Sequence, residues 1–119
     1  MEGNMVENTP NETTWADEMN AIVISFFEKE IHDFFLEDKI SHSPYWGVRY
    51  KKKNIAIEIG GDIGFYTNIY IDQTKYPLWQ YDRSVNNFLD TNKKNILYQL
   101  EVLKRFITES PNYPPLAKI

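Results

Sequence analysis

Two hydrophobic periods divide this chain. From Thr14 to Asp38 the period is helical. Val23, Phe27, Ile31, Phe34 and Phe35 fall on one stripe, and Ile22 and Phe26 widen it. Thr13 or Thr14 can cap such a helix, and Asp17 and Glu18 stand in its first turn, where the helix dipole favours acids. The pattern predicts a helix ending near Asp38, with Asp17, Glu28, Asp33 and Glu37 facing outward.

After Ser41-His42-Ser43-Pro44, read as a loop because Pro44 cannot sit inside a helix, the period becomes two. Tyr45 to Tyr50 places Trp46, Val48 and Tyr50 on one face. Lys51 to Asn54 reads as a polar turn. Ile55, Ile57 and Ile59 alternate with Ala56 and Glu58, and Gly60-Gly61-Asp62 punctuates the run. Phe65 to Asp72 sets Phe65, Thr67, Ile69 and Ile71 against Tyr66, Asn68, Tyr70 and Asp72. Connections this short favour antiparallel neighbours. Beyond the turn Gln73 to Pro77, Leu78, Trp79 and Tyr81 suit a short edge strand, since Pro77 is tolerated at an edge. Asp82-Arg83-Ser84 opens a short helical turn through Leu89.

Thr91 can cap a last helix from Asn92 to about Thr108. Ile96, Leu100, Leu103 and Ile107 line its apolar stripe, with Leu97 and Phe106 beside it, and Lys104 and Arg105 sit in its last turns. The prolines from Pro111 onward end it. The expected fold is α+β: an N-terminal helix, a three- to four-stranded antiparallel meander and a C-terminal helix. Residues 13–110 form the domain. Residues 1–12 read as a flexible acidic tail and 111–119 as a Pro-rich extended tail.

A chain of 119 residues with 42% hydrophobic and 15% aromatic content is sized for one core. It has no cysteine, which removes disulfides, thiolate nucleophiles and cysteine-based metal sites and favours a reducing compartment. The N-terminus is acidic and lacks the apolar run of a signal peptide, and no stretch is long enough to span a membrane. The expected location is cytoplasmic.

The net charge of −4 hides a strong asymmetry. Residues 1–38 carry ten acids and only Lys29 as a base, a net −9; the remainder carries a net +5. A −9 segment repels nucleic acid and anionic lipid and attracts a basic surface, although a solvated helix beside an acidic tail also has this look.

Catalytic parts are scarce. Glu28 and His32 are four apart on the expected helix, as in half a metal site, but no second His or Cys has compatible spacing, and an exposed ion pair is the better reading. His42 lies between two serines without the elbow motif of a serine hydrolase. Glu58, Asp62 and Asp72 could hold Mg²⁺ if they met at one sheet end, or they could be two strand residues and a turn former. The glycines around Asp62 lack the Lys-Ser/Thr of a phosphate loop. Lys51-Lys52-Lys53 near Tyr45, Trp46 and Tyr50 could contact single-stranded nucleic acid or simply form a solvated turn. The reading is of a non-catalytic protein with no cofactor and no metal. Candidate partner-binding residues are the acids Asp17, Glu28, Asp33 and Glu37 and the cluster Tyr76, Trp79, Tyr81, Asp82 and Arg83, rich in the types that dominate binding hot spots. Tyr66 and Tyr70 join them if the strand face they share is uncovered; they are core if the last helix covers it.

The stretch Lys75-Tyr76-Pro77-Leu78-Trp79-Gln80-Tyr81-Asp82-Arg83-Ser84-Val85, followed by Asn95-Ile96-Leu97-Tyr98-Gln99-Leu100, in a small acidic α+β chain, resembles the immunity proteins of bacterial polymorphic toxins, including those of contact-dependent growth inhibition systems. That resemblance implies a cytoplasmic antitoxin that neutralises a cognate toxin, commonly a basic nuclease, by steric blocking through a charge-complementary interface. The acidic first segment argues against a nucleic-acid or membrane partner. The other classes consistent with the residues are a small metal-dependent nuclease or hydrolase and a non-catalytic adaptor or regulatory subunit.

Overall fold

The computed structural model describes residues 14–85 and 89–109. The expected tails at 1–12 and 111–119, the alternative cap Thr13 and the acids Glu2, Glu7 and Glu12 lie outside them. The elements are α1 (Trp15–Glu30), β1 (Phe35–His42), β2 (Tyr45–Lys52), β3 (Ile55–Gly61), β4 (Gly64–Ile71), β5 (Thr74–Pro77), α2 (Leu78–Tyr81), β6 (Leu89–Asp90) and α3 (Lys93–Glu109). Strands β1 to β5 form an antiparallel meander in chain order, and β6 pairs with the start of β4. The class is α+β as the pattern predicts, with more strands than the three or four expected.

Thr14 caps α1: its hydroxyl accepts from the Asp17 N–H, and the Asp17 carboxylate returns to the Thr14 N–H. The helix stops at Glu30, eight residues short of the expected end. Ile31 is already extended, and Asp33 takes the left-handed region at φ 74°. Ile31 and Phe34 still reach the core, so the apolar stripe persists after the helix has ended. The next element is β1, where a helix tail and a loop were expected, and its eight residues are all exposed. The loop expected over Ser41–Pro44 shrinks to a tight β1–β2 turn at Ser43-Pro44, a cis peptide.

Strands β2, β3 and β4 place the expected apolar residues on one face. Trp46, Val48 and Tyr50, then Ile55, Ile57 and Ile59, then Phe65, Thr67 and Ile69 are all buried. Register makes Tyr50 face Ile57 and Ile57 face Ile69, so these side chains form one continuous apolar face. β3 continues through Gly60 and Gly61, which are strand residues rather than the turn itself. Helices α1 and α3 cover the apolar face. Val23, Phe26 and Phe27 descend from α1, and Ile96, Leu100, Leu103 and Phe106 from α3. Phe27 stacks on Tyr50 with ring centroids 3.8 Å apart. Each fully buried side chain of this kind contributes roughly 1.5–3 kcal/mol relative to exposure.

Three local expectations are corrected. Leu78–Tyr81 is one helical turn, not an edge strand; the edge strand is Thr74–Pro77 just before it. Leu89 and Asp90 pair with Phe65 and Gly64 rather than ending a helical turn, and residues 86–88 lie outside the described set. Asn92, not Thr91, caps α3: its Oδ1 accepts from the Asn95 N–H at 2.8 Å, while the Thr91 hydroxyl donates to the Asp62 carbonyl at 2.7 Å.

Candidate functional site

Among the described residues, helices cover only one face of the sheet. The other carries Phe35, Glu37, Asp38, Ile40, Tyr45, Arg49, Glu58, Tyr66 and Tyr70, placed there by strand alternation against the buried set. Several of its large side chains are well exposed: Phe35 58%, Ile40 54%, Tyr45 55% and Tyr66 43%. These exposed aromatic and aliphatic groups make the face a candidate interaction surface.

At its centre the face is hollow because β2 and β3 meet through glycines. Gly47 and Gly60 are register partners, and a Cβ on Gly60 would lie 2.5 Å from the Trp46 carbonyl oxygen. No side chain can stand at Gly60 and none stands at Gly47, so the surface dips by a side-chain layer. The hollow has a volume of about 290 Å³ and is walled by Ile40, Tyr45, Tyr66, Asp38, Arg49 and Glu58.

Beside it, Arg49 is gripped from two sides. Its Nε donates to Glu37 at 2.8 Å, and Nη1 donates to Glu58. The guanidinium also lies 5.4 Å from the centroid of the Tyr70 ring. Burial, then the charge of Glu58 and a hydrogen bond to it, push the Tyr70 hydroxyl above its ordinary pKa. The Glu37–Arg49–Glu58 row crosses β1, β2 and β3 and forms a polar border to the hollow.

The candidate residues from the sequence therefore do not form one site. Tyr66, Tyr70 and Glu37 share the open face. Tyr76 and Trp79 pack against the core, and the Trp79 indole nitrogen is buried without an acceptor among the described residues. Tyr81 lies edge-on to Phe106 at 5.0 Å and donates to Glu109 at 3.1 Å. Asp82 accepts from the Ser84 N–H at 2.9 Å and pairs with Arg105, while Arg83 is exposed. That cluster ties α3 to the segment before it. Asp17 serves the cap and accepts from the Ser41 hydroxyl, the largest of the contacts that lower its pKa. Glu28 and Asp33 are exposed at the far end of α1. His32 lies beyond the end of α1, so the expected Glu28–His32 helical pair does not exist. Sequence reasoning misses Tyr45 and Ile40 as site residues; the period-two pattern does place Tyr45 opposite Trp46, which is the available signal.

The possible metal carboxylates are also dispersed. Asp62 and Asp72 bracket β4 at opposite ends, separated by a strand of eight residues that spans roughly 23 Å at about 3.3 Å per residue. Asp62 accepts from the Gly64 N–H, Asp72 accepts from the Asn54 side chain at 2.9 Å, and Glu58 holds Arg49. Among the described residues no three His, Asp or Glu side chains are grouped to hold a metal ion. Among the same residues no helix is long and apolar enough to cross a membrane.

Comparison of the chain with protein-family models, with curated proteins and with solved structures finds no match in any of the three.

Proposed function

We propose that this chain is a non-catalytic, immunity-type inhibitor that binds a cognate protein toxin through the open face of its sheet. The observation that carries the reading is that face itself. Tyr45, Tyr66 and Ile40 stand exposed around a glycine-floored hollow, bordered by an Arg49 held in place by Glu37 and Glu58. Aromatic anchors beside an orientated arginine are the composition of a binding hot spot. A hollow of this size accepts one large side chain of a protein partner. The side chains around it are held by strand backbone and ion pairs, so little order has to be gained on binding.

The acids of α1 have a different role in this proposal. Glu18 and Glu28 on the helix, and Asp33 just beyond its end, are exposed and lie off the open face, where they would speed the approach of a basic toxin rather than touch it. The toxin is blocked sterically. The test is capture of the native partner on immobilised protein, in parallel with a Tyr45→Ala, Tyr66→Ala double variant. A single basic protein retained by the natural chain and lost with the double variant is expected. Equal retention by both would remove the open face from the proposal.

A further inference from the structure

β1 is the end strand of the sheet: β2 pairs with one side of it, and no described strand pairs with the other. Its backbone alternation can be assigned. The Ile40 carbonyl faces inward, where Asn20 Nδ2 donates to it at 2.7 Å, and Ile40 is the register partner of Gly47. In an antiparallel pair the inward groups recur at every second residue, so those of Asp38 and His42 also face β2, and those of Lys39 and Ser41 face out. The Lys39 N–H agrees, since it donates at 2.8 Å to the carboxylate of its own neighbour Asp38 and not to a strand.

We propose that this edge pairs antiparallel with the same edge of a second copy, about a two-fold axis at Ile40, so that two sheets become one. Opposed residues in an antiparallel pair must share a face, so the axis sets one residue opposite its own copy. An axis at Asp38 opposes two carboxylates, and one at Lys39 opposes two ammonium groups. At Ile40 the pairing is complementary throughout. Ile40 meets the partner's Ile40, Asp38 meets the partner's His42, and Lys39 meets the partner's Ser41. The outward groups of Lys39 and Ser41 then exchange hydrogen bonds with those of the partner. The partner's Ser41 carbonyl takes over the Lys39 N–H, which frees Asp38 to accept from the partner's imidazole. On the helix side, Lys39 approaches the carboxylate of the partner's Asp17, which that copy's Ser41 hydroxyl holds in place. The irregularity between Leu36 and Asp38 ends the flat stretch and limits the pairing to residues 38–42. The paired stretch is short, so the dimer is weak and concentration-dependent. It holds whatever the open face binds.

The chain has no cysteine, so single cysteines report the register. Directly opposed side chains have Cβ atoms about 4.5–5.5 Å apart, close to disulfide range. Ile40→Cys is expected to oxidise to a covalent dimer at least about 10-fold faster than Tyr45→Cys, an equally exposed control on the next strand. Sedimentation equilibrium of the natural chain up to about 1 mM should show a monomer–dimer equilibrium. Ile40→Lys should abolish it with an unchanged melting temperature, because Ile40 is exposed in the single chain. A monomer across the range, or equal oxidation of the two cysteine variants, overturns the proposal. Neither result bears on the Tyr45 and Tyr66 test of toxin binding.

Discussion

The carboxamide of Asn20 joins α1 to Gly47: its Oδ1 accepts from the Gly47 N–H at 2.9 Å while its Nδ2 donates to the Ile40 carbonyl. Asn20 is 2% exposed, so one buried side chain completes the hydrogen bonding of two strands and fixes the helix against them. Replacing it strands a buried N–H and a carbonyl at once. Asn20→Leu is expected to lower stability by about 1–3 kcal/mol, chiefly for the buried Gly47 N–H left unsatisfied, since the Ile40 carbonyl is only partly buried. Urea unfolding with an unchanged midpoint would show that the two groups find other partners.

Ile57 sits between Tyr50 and Ile69 on the buried face, and Leu100 presses on that face from α3. Both are essentially inaccessible to solvent. Ile57→Ala and Leu100→Ala should each cost about 2–5 kcal/mol. Denaturant midpoints matching the natural chain for either variant would contradict the shared core.

These core positions are legible in the sequence because large apolar residues there recur at a clean period: two for Ile55, Ile57 and Ile59, and near 3.6 for Ile96, Leu100 and Leu103. β1 is not legible, for the opposite reason. Both of its faces are exposed, so it has no alternation, and Phe34 and Phe35 happen to extend the stripe of α1. The break at Asp33 bears neither glycine nor proline, and only the backbone reveals its positive φ. Leu78–Tyr81 is misread because four residues are too few to separate a strand from one helical turn. The open face is half legible. Alternation places Tyr66 and Tyr70 together, but whether a helix covers them depends on the packing of α3, which no local pattern encodes.

Trp79 is open to two readings in the sequence, anchor or core. It packs against the core with its indole nitrogen buried. Trp79→Ala should therefore lower the melting temperature, with a cost approaching the roughly 3–5 kcal/mol of a buried aromatic truncation, discounted because Trp79 is only partly buried. Tyr66→Ala, by contrast, should leave the melt within about 0.5 kcal/mol of the natural chain, as for other exposed positions. The reverse order of effects would exchange the roles given to the two residues.

Acid should weaken this fold through carboxylates whose folded pKa is depressed: Asp17, Asp82 and Glu30, the last held down by Lys104. Hydrogen bonds from Ser84, and then the charge of Arg105, hold Asp82 below its ordinary pKa of 3.8; Ser41 and Thr14 do the same for Asp17. A carboxylate with a depressed folded pKa favours the folded state once the unfolded form is ionised. That contribution is complete above about pH 4 and disappears as pH falls through the lower folded value. The Asp17→Asn, Asp82→Asn double variant should thus lose less melting temperature than the natural chain between neutral pH and about pH 2. Parallel curves would mean that other groups carry the acid sensitivity.

The proposed partner makes a kinetic demand that separates approach from anchoring. Asp17 and Glu37 belong to the cap and to the Arg49 clamp, so reversing them would disturb the fold as well as the field. Glu18 and Glu28 are exposed and serve neither. Glu18→Lys with Glu28→Lys should slow association with a basic toxin and flatten its salt dependence, with little change in dissociation, because steering acts at a distance and is screened beyond about 10 Å at 0.1 M salt. Tyr45→Ala and Tyr66→Ala should do the opposite, raising the dissociation rate about 10- to 100-fold each for a loss of roughly 1–3 kcal/mol, with association unchanged. Both pairs should melt like the natural chain. Surface-immobilised kinetics against the captured toxin at several salt concentrations distinguish the two effects. An association rate indifferent to salt and to charge reversal would reduce the acids of α1 to a solvated surface. Tight binding that survives loss of both tyrosines would place the interface elsewhere on the molecule.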